Sequence, residues 1–259
     1  MRVKVIILAA GQGKRFKAPY PKVLAEVGGK PMIARVVETV EKSKVTDRPV
    51  VVVGVGAEQV EAVLGAGCDY VIQEQQLGTG HAVAQCRAAL EGRADAILVL
   101  YGDQPLVTPT TVKTITASHE RQRPAITMAT TTVPDFREWR APFGQFGRII
   151  RGSNGDVARI VEVKDATAAE LEAREVNPSY FCFDAAWLWA ALPKLSNRNR
   201  QEEYYLTDLV GRAITEGRRV VAVSVRPEEA LGANSPEELE IVSKLKFQIT
   251  NSKSQTNSK

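Results

Sequence analysis

Short apolar runs alternate along the first half of the chain with segments whose apolar residues recur every three to four positions. The continuous runs are typical of strands buried on both faces of a parallel sheet, and the helical spacing between them predicts amphipathic helices. Strands are predicted at residues 3–8, 50–53, 70–72, 96–101 and 125–132, and helices from Pro31 onward and at residues 58–64, 79–90 and 108–122. This alternation predicts an α/β protein with a Rossmann-like, doubly wound and mostly parallel sheet.

A different pattern begins after Val133. Residues 135–147 have no regular period and are rich in arginine and aromatic side chains. The turn at residues 153–156 then predicts a hairpin between residues 148–150 and 157–163. We interpret this part as an insertion on the substrate side of the sheet.

No linker divides the chain, so we predict one domain at residues 1–247, in which residues 134–183 form mainly an inserted lobe. Its last elements are predicted as strands at residues 180–183 and 220–225 and helices at residues 185–192, 203–217 and 235–247. Residues 248–259 are polar and low in complexity, which predicts a disordered tail.

The segment after the first strand reads Leu8-Ala9-Ala10-Gly11-Gln12-Gly13-Lys14-Arg15-Phe16 and continues to Pro21-Lys22-Val23-Leu24. Its glycines allow backbone N–H groups to turn inward, and Arg15 and Lys22 add positive charge, so the segment can bind a chain of phosphates. It lacks the third glycine of a dinucleotide fingerprint and the Gly-Lys-Ser/Thr ending of a Walker loop. The alternative interpretation of this segment is a tight strand-to-helix turn whose lysines are solvated and bind no phosphate.

Two more polar segments follow predicted strands, at residues 73–80 and 102–105. Because ligands bind at the carboxyl ends of parallel strands, we expect both segments and the opening loop to meet at one crevice. Asp103 is suited to bind Mg²⁺ with water and phosphate as further ligands, or it caps a turn. Gln73 and the turn at Gly78 and Thr79 can read the edge of a nucleobase, although Thr79 can also cap the next helix.

The distribution of charge argues against nucleic acid as a partner. Four of the 34 lysines and arginines lie in residues 244–259, which contain no acid, so the other 30 balance the 30 acidic residues of the body. A duplex-binding protein needs a basic face on its folded part. We therefore expect small-molecule substrates rather than nucleic acid.

The three cysteines are far apart and show neither metal-ligand nor disulfide spacing. We interpret them as small buried residues of a protein in a reducing compartment. The sequence shows no signal-peptide pattern and no apolar run of membrane-spanning length, so we expect a cytoplasmic protein without a membrane partner.

The sequence offers no nucleophile or general base of a familiar kind. His81 and His119 are its two histidines, and neither a Ser-His-Asp arrangement nor a kinase catalytic loop can be composed. One reaction that needs neither is attack by an ionised phosphate oxygen on the α-phosphate of a nucleoside triphosphate. Alignment and charge neutralisation are enough for it.

The opening motif, together with Gly29-Lys30-Pro31-Met32, resembles the signature of the sugar-1-phosphate nucleotidyltransferases. The resemblance is closest to the uridyltransferase half of the bifunctional N-acetylglucosamine-1-phosphate uridyltransferase/glucosamine-1-phosphate acetyltransferase and covers roughly residues 3–238. It implies the nucleotide-diphospho-sugar transferase fold, Mg²⁺ as cofactor, and UTP and N-acetylglucosamine-1-phosphate as substrates. The segments that carry the closer resemblance are Gln76-Leu77-Gly78-Thr79-Gly80-His81-Ala82, Tyr101-Gly102-Asp103, Glu162-Val163-Lys164-Asp165-Ala166 and Glu203-Tyr204-Tyr205-Leu206-Thr207-Asp208.

The resemblance also implies a role for each matching position. Arg15 and Lys22 would be catalytic, and Asp103 and Asn234 would bind Mg²⁺. The nucleotide would contact Leu8, Ala9, Ala10, Gly11, Gly13, Gln73, Gly78, Thr79, Tyr101 and Gly102, and the sugar phosphate would contact Gly147, Glu162, Asn177, Tyr205 and Thr207.

Two segments depart from the family pattern, and both lie on the sugar side. Where the family usually continues its asparagine with threonine and glycine, this chain has Asn177-Pro178-Ser179. The segment before Gly147 is also longer than the family pattern. The alternatives are therefore another sugar-1-phosphate, such as glucose-1-phosphate, with UTP or dTTP, or a nucleotide-sugar-binding module without catalysis. The printed sequence shows no hexapeptide repeats of an acetyltransferase half, and it predicts no oligomeric state.

Overall fold

The structure is a computed structural model that describes residues 1–11, 13 and 15–256, without the side chains of residues 250 and 252–256. Gln12 and Lys14 of the opening motif, and the last three residues of the expected tail, lie outside the described residues. None of the helices in the described part of the chain is both long and apolar enough to cross a bilayer.

The strands that the structure describes form one mixed sheet of ten strands in the order β3-β2-β1-β4-β9-β5-β8-β6-β7, with β10 paired to β5. Their bounds are β1 Val3–Leu8, β2 Val50–Val53, β3 Asp69–Ile72, β4 Ala96–Tyr101, β5 Ile126–Thr132, β6 Arg148–Arg151, β7 Val157–Val161, β8 Glu175–Val176, β9 Phe181–Asp184 and β10 Val220–Ser224. The predicted α/β fold is confirmed.

The centre of the sheet is parallel, as the continuous apolar runs predict. β1 pairs with β2 on one side and with β4 on the other, where all six of its residues are in register from Val3 with Ala96 to Leu8 with Tyr101. Because parallel strands point the same way, the segments that follow β1, β2, β3 and β4 leave the sheet at one edge. This edge carries the site described below.

The sheet changes direction at β9, which lies between β4 and β5 and runs antiparallel to both. β10 extends it in parallel beside β5, and β6, β7 and β8 form an antiparallel extension beyond the end of β5. The predicted hairpin is therefore confirmed, and its β7 ends at Val161 rather than at residue 163. The lobe is built on the main sheet and shares its strand β5.

Ten α-helices surround the sheet within the described residues. They are α1 Met32–Ser43, α2 Ala57–Leu64, α3 Thr79–Gln85, α4 Arg87–Leu90, α5 Pro109–Gln122, α6 Ala168–Leu171, α7 Ala185–Ala191, α8 Asp208–Thr215, α9 Pro227–Ala230 and α10 Pro236–Thr256. The cap predicted for α5 is present, because the Thr108 side chain accepts a hydrogen bond from the Thr111 N–H. Single 3₁₀ turns lie at Lys22–Leu24, Gly65–Gly67 and Leu192–Lys194, and a longer one at Glu138–Gln145.

Three predicted helices differ from the structure. The helix predicted at residues 79–90 is interrupted at Cys86, between α3 and α4. Residues 203–207 are not helical, because Tyr204 uses its backbone N–H and C=O to bond Leu77 and Gly80 across the cleft edge, both at 2.8 Å. Those bonds replace the helical ones, and α8 begins only at Asp208. At the other end of the chain, α10 continues through Thr256 where a disordered tail is expected from residue 248.

The core lies on both faces of the sheet. Along β1, Ile6 packs into the cluster beneath α3, α7 and α8, while Val5 and Ile7 pack into the cluster beneath α1 and α5. A third cluster joins the lobe to α10 through Phe143, Val176 and other residues. The alternation of side chains along a strand thus supplies two separate apolar layers, as a doubly wound sheet requires.

His119 gives the fold a testable response to acid. It is buried on α5 with Nδ1 3.1 Å from the Thr127 hydroxyl, and burial lowers its pKa to about 4, against an opposing effect of Asp184. As the pH falls from about 6.5 to about 4, the unfolded chain takes up a proton that the folded chain does not. The free energy of unfolding should therefore fall by up to about 3 kcal/mol over this interval.

The measurement is denaturant unfolding of the wild type and His119→Asn at several pH values between 7.5 and 4. The variant should lose this component of the pH dependence, whatever its stability at pH 7.5. Equal slopes for the two proteins would contradict the assignment to His119.

Candidate functional site

A cleft of about 760 Å³ opens at the edge where β1 and β4 end. The three polar segments predicted to converge do so, and the lobe supplies the opposite wall. Of the residues proposed from the sequence, those that line the cleft are Leu8, Ala9, Ala10, Gly11, Gly13, Lys22, Gln73, Gly78, Thr79, Tyr101, Asp103, Gly147, Glu162, Asn177 and Asn234.

The opening loop is held to the neighbouring strands by its backbone. The Ala9 N–H donates to the Val52 carbonyl at 2.8 Å, and the Gly102 N–H donates to the Leu8 carbonyl at 2.9 Å. A Cβ on Gly102 would lie 2.6 Å from Ile33 Cδ1 and 3.3 Å from the Leu8 carbonyl oxygen, so a side chain there would displace its neighbours. The loop is therefore packed directly against the segment that carries Asp103.

Lys22 lies at the centre of the cleft floor. Its ammonium donates to Asp103 Oδ2 at 2.5 Å and also contacts Asn234 Oδ1, and the side chains of Lys22 and Asp103 are each only 13% exposed. In such a partly desolvated place the attraction between opposite charges is stronger than at the surface. Three residues from distant parts of the chain thus share one charged contact.

Backbone and side-chain bonds fix the position of Asn234. The Ala233 N–H donates to the Asp103 carbonyl at 3.0 Å, and the Asn234 N–H donates to Glu238 Oε2 at 2.7 Å at the start of α10. The short α9 that precedes this segment is held by the buried Glu229, whose carboxylate accepts from Thr108, Thr111 and Arg226. The candidate metal ligand therefore stands on a rigid support.

One wall of the cleft is formed by the start of α3, and we name it the nucleotide side after the role predicted for it. Gln73 is buried there, and its amide donates to the Gly78 carbonyl at 3.2 Å and lies 3.0 Å from His81 Nδ1. Gly78 has φ +106°, and a Cβ on it would lie 2.7 Å from the Tyr204 carbonyl oxygen. Thr79 accepts a hydrogen bond from the Leu206 N–H at 2.9 Å, so its hydroxyl ties the segment at residues 203–207 to this turn.

The opposite wall is formed by the lobe, and we name it the acceptor side after the role predicted for it. The Asn177 N–H donates to the Gly147 carbonyl at 2.9 Å, which sets the buried Asn177 beside the loop that ends at Gly147. Glu162 accepts a hydrogen bond from the Thr207 hydroxyl at 3.1 Å. Burial raises the pKa of Glu162, the Thr207 bond lowers it, and the nearby Asp208 raises it further. A half-buried carboxylate of this kind is a strong acceptor for a hydroxyl group.

Four proposed residues do not line the cleft. Gly102 donates its N–H to the Leu8 carbonyl, and Thr207 donates to Glu162, which does line the cleft. Burial raises the pKa of Tyr205 to about 12, and this residue lies beside Thr207 on the segment that leads to α8. Arg15 is exposed in the turn after Gly13, where the Phe16 N–H donates to the Gly13 carbonyl. The sequence predicts that these four belong to the site, whereas the structure does not place them among the residues that line the cleft.

The sequence did not single out Gln104 as a functional residue, and the structure shows it at a junction. Its buried amide donates to the Pro178 carbonyl at 2.9 Å and to the Ala230 carbonyl at 3.0 Å. It therefore connects the acceptor wall to the segment that carries Asn234. Its position directly after Asp103, in the polar segment at residues 102–105, is the signal that could have identified it.

Asp103 and Asn234 form a donor set that fits Mg²⁺. A carboxylate oxygen and a carboxamide oxygen face one cationic group, the Lys22 ammonium, from two sides. Mg²⁺ prefers oxygen ligands and keeps water and substrate phosphates as the others. Among the described residues, no group of three or more His, Cys, Asp or Glu could hold a metal, so the set does not resemble a zinc site.

Comparison with known proteins agrees with this architecture. The family model described as MobA-like NTP transferase domain matches residues 5–204. "Bifunctional protein GlmU" of Brevibacillus brevis is 44% identical over 234 residues, which are 90% of this chain and 49% of that protein. The protein of the same name from Clostridium acetobutylicum is 42% identical over 253 residues, which are 97% of this chain and 54% of that protein.

A solved structure confirms the fold independently. UDP-glucose pyrophosphorylase, determined in complex with UDP-glucose, superimposes with a TM-score of 0.77 at 17% sequence identity, over 96% of this chain and 99% of the other. At that identity the similarity shows the fold alone. The chain spans about half the length of the curated relatives it matches. By the extent of the family match and the identity to these relatives, it belongs to the MobA-like NTP transferase family.

Proposed function

We propose that the protein is a nucleotidyltransferase that converts UTP and N-acetylglucosamine-1-phosphate to UDP-N-acetylglucosamine and pyrophosphate. The observation that carries this proposal is the shared contact of Lys22 with Asp103 and Asn234, on the cleft floor between a glycine-rich loop and a polar acceptor wall. The positive charge of Lys22 would lie where the triphosphate of the nucleotide meets the second substrate. The 44% identity to the curated relatives supports the same reaction.

The reaction consists of one substitution at phosphorus. An oxygen of the sugar phosphate forms a bond to the α-phosphorus of UTP, while the bond from that phosphorus to the bridging oxygen of the β-phosphate breaks and pyrophosphate leaves. The attacking oxygen is already ionised at neutral pH, so no side chain has to remove a proton. The protein contributes alignment and neutralisation of negative charge.

Each part of the cleft has a role in this scheme. The loop at Leu8–Gly13, with Gln73, Gly78, Thr79, Tyr101 and Gly102, would hold the nucleotide, and Lys22 with Arg15 would neutralise the triphosphate. Gly147, Glu162 and Asn177 would contact the sugar phosphate, with Thr207 orienting Glu162 and Tyr205 beside it. Mg²⁺ bound by Asp103 and Asn234 would supply further positive charge at the phosphates.

The acceptor sugar is the variable part of the proposal. Pro178 and Ser179, where the chain departs from the family pattern, both line the cleft on the acceptor side. The alternative acceptor is therefore glucose-1-phosphate, and the nucleotide that reacts with it would be UTP or dTTP. Pyrophosphate release measured over a grid of nucleoside triphosphates and sugar-1-phosphates decides between them. If no pair releases pyrophosphate with Mg²⁺ present, a nucleotide-sugar-binding module replaces the enzyme.

Lys22→Ala should lower the rate of pyrophosphate release by at least about 100-fold. Removal of a charge that stabilises a developing negative charge costs on the order of 3 kcal/mol in a site shielded from water. The melting temperature should also fall, because the variant leaves the Asp103 carboxylate without its cationic partner, so the rates are compared at a temperature where both proteins remain folded.

The matched control is Lys30→Ala, which removes an ammonium that pairs with Glu38 at 2.6 Å away from the cleft. It should keep the wild-type rate. A Lys22→Ala protein that releases pyrophosphate at the wild-type rate would remove Lys22 from the mechanism.

Asp103→Asn should raise the Mg²⁺ concentration that gives half-maximal activity by about tenfold or more, because a neutral amide is a weaker ligand for a hard cation than a carboxylate. Titration of activity with Mg²⁺ at saturating substrates measures this. Asp69→Asn is the control, since Asp69 pairs with Arg48 at the surface of β3. A magnesium response identical to that of the wild type would contradict the role of Asp103 as a ligand.

A further inference from the structure

Ser179 has an unusual backbone conformation for its residue type. Its φ is +67°, in the left-handed region where a side chain is disfavoured. The described residues include six residues other than glycine with positive φ, and of these Ser179 alone lines the cleft. Strained residues of this kind persist where the surrounding structure determines their conformation, and they cluster at functional sites.

The backbone on both sides of Ser179 is firmly held. Its own N–H donates to Asn177 Oδ1 at 2.9 Å, and the preceding Pro178 carbonyl accepts from Gln104 at 2.9 Å. The following Tyr180 is fully buried and donates from its hydroxyl to the Glu229 carbonyl at 2.7 Å. All these contacts would remain with glycine at position 179, so none of them explains why the chain carries a side chain there.

The Ser179 hydroxyl joins a chain of polar groups along the cleft wall. Burial raises the pKa of the Tyr101 phenol, and the neighbouring Thr79 and Ser179 side chains each lower it, so the three groups lie together along the cleft. The Asn177 amide donates to Ser179 Oγ at 3.3 Å, which is a long contact. The chain therefore runs from the start of α3, on the nucleotide side, to Asn177 on the acceptor side.

A hydroxyl at this position has hydrogen-bonding capacity that its protein neighbours do not exhaust. Serine offers one donor and two acceptor positions. Its neighbours in the wall are the Tyr101 phenol and the Asn177 amide, and the second of these contacts is long. The half-buried Oγ thus retains a position for a polar group of a molecule in the cleft.

We propose that Ser179 is a sugar-binding residue, whose hydroxyl forms a hydrogen bond with a polar group on the sugar of the acceptor and of the product. This rests on the proposed function, because it assumes that the lobe side of the cleft takes a sugar. The left-handed conformation directs a side chain where glycine would leave only backbone. The strain at Ser179 is thereby explained as the requirement for placing that hydroxyl.

Ser179→Gly and Ser179→Ala separate this role from a structural one. Glycine removes both the hydroxyl and the φ strain, whereas alanine removes the hydroxyl and keeps the strain. Binding of UDP, UDP-N-acetylglucosamine and UDP-glucose to each protein is measured by isothermal titration calorimetry with Mg²⁺. UDP serves as the ligand that has the nucleotide and lacks the sugar.

In both variants the Kd for whichever UDP-sugar binds the wild type more tightly should rise about fivefold or more, as expected for one lost hydrogen bond to a partly buried group. The Kd for UDP should stay within about twofold of the wild type. The melting temperature of Ser179→Gly should not fall below that of Ser179→Ala, because glycine tolerates a φ of +67°.

Lys44→Gly is the matched control, since Lys44 has φ +56° at the exposed end of α1 and does not line the cleft. It should bind all three ligands as the wild type does. The proposal is overturned if the Ser179 variants bind the UDP-sugars as tightly as the wild type, or if UDP loses affinity to the same extent. It is also overturned if only Ser179→Gly is affected, or if the wild type binds no UDP-sugar.

Pyrophosphate release is measured on the same wild-type preparation to keep the two proposals apart. A protein whose UDP-sugar affinity depends on Ser179 but which releases no pyrophosphate from any substrate pair supports the sugar-binding role and contradicts the enzymatic one. A protein that releases pyrophosphate and whose UDP-sugar affinity is independent of Ser179 supports the enzyme and overturns the sugar-binding role.

Discussion

The contact of the Lys22 ammonium with Asp103 and Asn234 is the constraint on which the site depends. It joins a turn near the start of the chain, the end of β4 and the segment before α10. The contact forms only when these three separate segments of backbone lie side by side. The parallel pairing of β1 with β4, the Gly102 bond to Leu8 and the Ala233 bond to Asp103 hold them there.

The two sides of the cleft are supported in different ways. The nucleotide side is formed by loops at the ends of parallel strands, where glycine permits close backbone approach, as at Gly78 beside Tyr204. The acceptor side is formed by the antiparallel extension and by side-chain bonds, of which those of Gln104 join Pro178 to Ala230.

The local sequence pattern predicted correctly several elements that depend on residues close together in the chain. The strands of the parallel centre, the cap of α5 at Thr108 and the hairpin of the lobe all lie where the sequence predicts them. It failed at residues 203–207, where the backbone of Tyr204 bonds Leu77 and Gly80 instead of continuing a helix. A hydrogen bond to a segment more than a hundred residues away leaves no periodic signal.

The sequence by itself determined the fold class, the glycine-rich and cationic character of the loop after β1 and the convergence of that loop with Gln73 and Asp103. These follow from apolar periodicity and from the common direction of parallel strands, which are properties of local order. Only the tertiary structure decided that Gln104 joins two walls, that Arg15, Tyr205 and Thr207 do not line the cleft, and that Ser179 is held at positive φ. Each of these depends on contacts between residues far apart in the chain, and the packing of the lobe against the sheet fixes them.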